Sequence, residues 1–215
     1  MENLRINPIL KKYTVLICLV ISVLLIVKAS LVYPGGSLLD KNSIGFDWSK
    51  NFLSNLFTAK ALNGAENPGR IWAIIAMAFH SVGYGIFFIN MSKKIYSKQW
   101  ANVLKFIGIT NLLLIFLIAT PFHDLGTLSI ILILVGLFII TVFILKSKLH
   151  FLKICCIFCL LTFYCFFFLF GFGYLGLAVI MQKVYNASSI LLILALEYFT
   201  RHEDFVETKS VEKKI

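Results

Sequence analysis

A succession of apolar runs, separated by short connections rich in Lys, dominates this chain. An α-helix needs about 20 such residues to cross the hydrocarbon core of a bilayer, and the runs have that length. Backbone groups in hydrocarbon have no water to bond, so a spanning segment must be a helix or part of a closed barrel. The runs lack the period-2 alternation of barrel strands, which leaves helices. With 60% hydrophobic and 14% charged residues, a soluble globule of 215 residues would be short of polar surface. Mean hydropathy is +0.91. The chain therefore reads as an all-α integral membrane protein.

Spans are placed at 13–33, 70–90, 101–120, 125–145 and 151–170, with a sixth ending near Tyr198. The start of the sixth has two readings. Gly171, Gly173 and Gly176 bracket one turn, and the polar group Gln182, Lys183, Tyr185 and Asn186 suggests a second, interfacial one. Six transmembrane helices make a single domain over 1–205, with a cytoplasmic tail at 206–215 and a first outer loop at 34–69 serving as a lid. Read as a cleaved signal peptide, the first run would leave five spans, but its apolar core exceeds the 7 to 15 residues of a typical signal and retention is simpler.

Charge distribution sets the orientation. Arg5, Lys11, Lys12, Lys93, Lys94, Lys98, Lys105, Lys146, Lys148, Lys153, Arg201, Lys209, Lys213 and Lys214 fall on one side. The other holds Lys41, Lys50, Lys60 and Arg70, balanced by Asp40, Asp47, Glu66 and Asp124. Basic residues near span ends stay in the cytoplasm, so both termini are expected inside and the long loop outside. The net charge of +10 is thus topological. Nucleic acid is not an expected partner, because its binders cluster basic residues on one exposed face. Lys28 and Lys183 fall within or beside spans and are expected to snorkel outward.

The long loop is the polar exception. Pro34, Gly35 and Gly36 end the first span, and Tyr33 reads as an interfacial anchor. Over 45–57, Trp48, Phe52, Leu53, Leu56 and Phe57 recur at spacings of three and four, predicting a short amphipathic interfacial helix. Its other face carries Asp47, Asn51, Ser54 and Asn55. With Trp48 these are the expected substrate-binding residues, joined by His80, which lies roughly 15 Å along the second span at 1.5 Å per residue. An ionisable group at that depth faces a bundle interior or a wet cavity. His80 then either bonds another helix through Asn111 or Ser81, or floors an outward-facing pocket roofed by Asp47, Asn51 and Ser54. His123 and Asp124, beside Pro121 between the third and fourth spans, form an orienting pair for acid or base work. His80, His123 and Asp124 are the candidate catalytic residues.

Other chemistries fit less well. Ser54 lacks the glycine-flanked elbow that exposes a hydrolase nucleophile. His80, His123, Asp124 and Asp47 show none of the i, i+4 spacing of a zinc site. Cys155, Cys156 and Cys159 sit in a Phe-rich run without a second cluster and read as small hydrophobes. No cofactor or metal is assigned. Glu197 is expected to pair with Arg201 one turn on, and Gly83, Gly85, Gly108 and Gly136 mark close helix approaches.

The segment Asn51-Phe52-Leu53-Ser54-Asn55-Leu56, followed by Glu66-Asn67-Pro68 and closed by Leu196-Glu197-Tyr198-Phe199-Thr200 with Asp204-Phe205, resembles the signature of a bacterial six-span family of unknown function. That family is similar to the eukaryotic group of damage-regulated autophagy modulators and GPI-anchor remodelling factors. Asn55 stands where that pattern has an acidic residue, and Phe57 where it has Gly. The resemblance implies a bacterial cytoplasmic-membrane protein linked to lipid handling and transfers no catalytic residue. Membrane lipids are the expected partners of an outward-facing polar pocket. The alternative is a non-catalytic scaffold whose outer loop docks a membrane or periplasmic protein.

Overall fold

The computed structural model describes residues 8–118 and 125–206. Its elements are α1 (Pro8–Leu31), a 3-10 turn (Leu53–Phe57), α2 (Arg70–Lys94), α3 (Lys98–Ile118), α4 (Leu125–Lys146), α5 (His150–Gly171), α6 (Leu175–Phe199) and the short α7 (Glu203–Val206). Among the described residues there is no strand beyond two isolated bridges, Gly35 to Ile44 and Lys60 to Glu66. Five stretches are long and apolar enough to cross a membrane: Lys12–Leu31, Arg70–Lys94, Leu128–Lys146, His150–Gly171 and Leu175–Phe199. The protein is thus all-helical and compatible with multi-pass membrane insertion. The expected third span, 101–120, coincides with α3 as far as Ile118 and then leaves the described residues.

Sequential helices pack as neighbours, and α6 returns to touch α1 and α2 as well as α5. The core between them is built from Tyr84, Phe87, Phe88 and Met91 of α2, Leu104 and Ile107 of α3, Leu137 and Ile140 of α4, Phe163 of α5, and Leu192 and Ile193 of α6. At the α2–α3 crossing the backbones nearly meet. A Cβ on Gly85 would lie 2.9 Å from the Gly108 carbonyl oxygen, and one on Gly108 would lie 2.7 Å from that of Gly85. Only glycine permits this approach.

The start of the last long helix, α6, is set by the turn at 171–175. Gly173 adopts φ +78°, and Tyr174 N–H donates to the Leu169 carbonyl at 2.9 Å, closing α5 in a left-handed cap. α6 then runs unbroken through Gln182, Lys183, Tyr185 and Asn186. These polar residues tolerate the helix because they bond it: Asn186 Nδ2 donates to the Gln182 carbonyl at 2.8 Å, and Ser188 and Ser189 donate to carbonyls three residues back.

The loop departs from expectation. The 45–57 amphipathic helix is absent, and helical backbone there is confined to the 3-10 turn Leu53–Phe57. Phe52 is extended at φ −69°, ψ 147°, which breaks any helix reaching that turn from Asp47. The loop folds instead as a compact cap. Gly36 N–H bonds the Ser43 carbonyl at 2.8 Å in a first hairpin, and Ala61 N–H bonds that of Ala65 at 2.8 Å in a second. Tyr33, Leu56, Ala61, Ala29 and Ala73 form a small second core beneath it. Tyr33 is therefore no lipid anchor: it is buried, its hydroxyl accepts from Leu62 N–H at 3.1 Å, and its ring meets Phe46 edge-on. Burial pushes the Tyr33 hydroxyl pKa up, against the Leu62 bond.

Candidate functional site

The cap is tied to α6 by side chains that project from the helix into the loop backbone. Gln182 Oε1 accepts from Leu53 N–H at 2.7 Å, and Lys183 Nζ donates to the Asn51 carbonyl at 2.7 Å and to that of Val179 at 3.0 Å. Lys183 thus snorkels toward the loop, as a long cation on a buried stem does, and finds protein carbonyls there. Lys28 lies over the Trp72 ring at 3.4 Å from its centroid, a cation–π contact.

Asn51 is fully buried and acts as the strut of the cap. Its Nδ2 donates to the Gly36 carbonyl at 2.7 Å, and its Oδ1 accepts from Asp47 N–H at 3.0 Å. Asp47 faces the surface. Its Oδ1 accepts from Ser49 N–H at 2.8 Å and from the Ser49 hydroxyl at 2.6 Å, and Lys50 stands 3.6 Å from Oδ2. The Ser49 bonds, assisted by Lys50, hold the Asp47 carboxyl below its usual range. Trp48 and Ser54 are exposed. Asn55 is buried with its Nδ2 unpartnered among the described residues. His123 and Asp124 lie outside the described residues. Asn51 and Asp47 are therefore brought together, but to build the cap, and neither hydrogen-bonds His80.

Below the cap, the His80 ring stacks on that of Tyr84 at 4.1 Å and 22°. The Tyr84 and Ser189 hydroxyls bond at 2.8 Å, joining α2 to α6 in the buried core. His80 makes no hydrogen bond to the described residues. Asn111 is occupied elsewhere, donating to the Ile107 carbonyl and accepting from Ser129. On the α5 side, Thr162 bonds Ser188 at 3.1 Å, and Tyr185 packs on Phe163 and Phe166. The result is a polar layer between α2, α5 and α6, covered by the cap. Sequence reading passed over Tyr84 and Ser189, since a lone hydroxyl in an apolar run carries no spacing signal, and it took Gln182 and Lys183 only for an interfacial turn and a snorkelling cation.

Beside this layer, a cleft of about 170 Å³ opens between α1 and α6, lined by Leu19, Val20, Val23, Leu24, Ile190 and Leu194. It is wholly apolar, and Ile190 in its wall follows Ser189 along α6. At the other end of α6 the gap to α1 is closed, because Leu16 N–H donates to the Tyr198 hydroxyl at 3.3 Å and Tyr13 packs on the Tyr198 ring. α2 closes there too: Asn90 Nδ2 donates to Glu197 Oε1 at 2.7 Å, and Lys94 Nζ donates to the Leu196 and Glu197 carbonyls. The expected Glu197–Arg201 pair does not form, since α6 stops at Phe199 and Thr200 is extended, which breaks the i, i+4 register. No group of three or more His, Cys, Asp or Glu placed to hold a metal occurs among the described residues.

Comparison with protein-family models, with curated proteins and with solved structures finds no match to this chain.

Proposed function

We propose that this chain is a six-span protein of a bacterial cytoplasmic membrane, with both termini cytoplasmic, that binds a membrane lipid in the layer beneath its outer cap. The observation that carries this reading is an apolar cleft between α1 and α6, whose wall residue Ile190 follows Ser189, the α6 partner of Tyr84 in the buried core. A lipid has the same two-part chemistry. At about 170 Å³ the cleft is smaller than the roughly 300 to 1,000 Å³ of a whole-ligand pocket, which suits a segment of acyl chain. Lys and Arg asymmetry supports the orientation, and the short motif resemblance is consistent with lipid handling.

Binding is favoured over reaction. His80 stacks on Tyr84 rather than bonding a nucleophile, and among the described residues no base hydrogen-bonds the Tyr84–Ser189 pair. The test is lipid occupancy of protein purified in neutral detergent, counted by native mass spectrometry. Ile190→Trp, which fills the cleft, is expected to strip most retained lipid from a still-folded protein. Unchanged occupancy would contradict the reading.

A scaffold function has one observation in its favour: Ile44 is 96% exposed where it pairs with Gly35 at the base of the first hairpin of the cap, on a loop that also exposes Leu38, Leu39 and Trp48. A photocrosslinker at position 44 that captures one membrane or periplasmic protein, in place of lipid, would establish it.

A further inference from the structure

We infer that the first hairpin of the cap, 34–45, is a foot set into the lipid leaflet on its own side of the membrane, with Leu38 and Leu39 against acyl chains beside the turn between α5 and α6; this rests on the membrane-spanning reading above. Charge places that turn. No charged residue occurs between Lys153 and Lys183, and the turn carries exposed Phe172 and Tyr174, with exposed Leu177 just beyond. Counted from Lys153 near the other end of α5, a hydrocarbon core of about 30 Å takes about 20 helical residues, which reaches the turn. The turn therefore lies at the edge of hydrocarbon.

The cap is docked against the side of this helical hairpin, not above it. The Asn51 carbonyl and Leu53 N–H bond Lys183 and Gln182, eight and seven residues into α6, which is roughly 10 to 12 Å along the helix at 1.5 Å per residue. Phe52 between them meets Phe170 near the end of α5. Closer to the turn, Leu39 and residues 173–177 wall one open groove, and a Cβ on Gly176 would lie 3.9 Å from Leu39 Cδ1. Leu38 and Leu39, both exposed, thus continue the apolar surface that Phe172 and Leu177 turn toward lipid.

The hairpin backbone suits that layer because it is closed on itself. Gly36 N–H bonds the Ser43 carbonyl, Ser37 N–H bonds that of Asp40, and Asp40 N–H bonds the Ser37 hydroxyl. Asp40 Oδ1 accepts from Asn42 N–H at 3.0 Å, and Lys41 has a stem long enough to carry its ammonium to the headgroups. The second hairpin is the contrast. It turns out Asn63 and the pair Lys60 and Glu66, 4.0 Å apart, a surface suited to water. One cap with an apolar hairpin and a charged one has two different neighbours, and the apolar one adjoins the lipid-facing helices.

The experiment places p-benzoylphenylalanine singly at Leu38, Leu39, Glu66 and Phe158 of the full chain, irradiates native membranes and reads adducts by mass after digestion. Phe158, on the exposed face of α5, reports the bilayer itself. Positions 38 and 39 should give lipid adducts at the yield of 158, and about tenfold or more above that of 66, the partition expected for a leucine-sized side chain between water and hydrocarbon. Lipid at 158 with no excess at 38 and 39 over 66 would overturn the foot and leave the spanning helices intact. A protein adduct at 39 would overturn it in favour of a partner docked on the cap. Absence of lipid at 158 would remove the membrane-spanning reading, and the foot with it.

Discussion

At the scale of single residues, Asn51 shows how a polar side chain in a loop can look like a ligand contact and act as a strut. Its amide joins the Gly36 carbonyl to the Asp47 N–H, while its own carbonyl receives Lys183. Asn51→Ala leaves a buried carbonyl and a partly buried N–H without partners, and is expected to cost about 1 to 3 kcal/mol. Thermal unfolding in detergent would measure it; Ser54→Ala, at an exposed position, should change nothing. Asp47 adds a pH dependence. Its carboxyl is held below the usual range in the folded cap, so its stabilisation is complete above the unfolded value of about 4 and is lost as pH falls through the lowered folded value. Hydrogen exchange of the cap amides should accelerate as pH drops into that window, after correction for intrinsic rates, and Asp47→Asn should remove the pH-dependent component.

At the scale of elements, the α2–α3 crossing is the tightest constraint. Gly85→Ala forces its Cβ to 2.6 Å from Leu112 and 2.9 Å from the Gly108 carbonyl oxygen, and should destabilise by about 1 to 3 kcal/mol. Gly171→Ala, with nothing within 4 Å, should be close to neutral in the same unfolding assay. Helix bodies were legible from sequence because hydrocarbon permits few alternatives, and their ends because Lys clusters and glycines punctuate them. The loop was not. Its three- and four-residue spacing of aromatics comes from side chains buried in different directions: Phe52 meets Phe170 of α5, whereas Leu56 joins the small core with Tyr33. The polar group in α6 was ambiguous because Gln182, Lys183, Tyr185 and Asn186 suit an interfacial turn as well as a helix. Their bonds back to helix carbonyls and across to the loop decide it. Tyr84 and Ser189 were invisible as a pair, since they meet only when α6 returns to α2.

At the scale of the whole molecule, α6 is stapled at both ends and open in the middle. Gln182 and Lys183 hold it to the cap, Glu197 and Tyr198 hold it to α2 and α1, and the apolar cleft lies between. The proposed orientation predicts opposite labelling of two exposed positions. In a cysteine-free background, Ser54→Cys should react with an impermeant maleimide in intact cells, and Lys148→Cys only after permeabilisation. The reverse pattern would invert the topology.

The central claim, a lipid seated between α1 and α6 beneath the cap, is tested most directly by photolabelling with a phospholipid that carries a diazirine in its acyl chain, followed by peptide mapping. The account predicts adducts concentrated at Leu19, Val23 and Ile190, well above those on Phe158 and Leu161 of the exposed face of α5. Labelling spread evenly over both faces, as ordinary surrounding lipid would give, would contradict it.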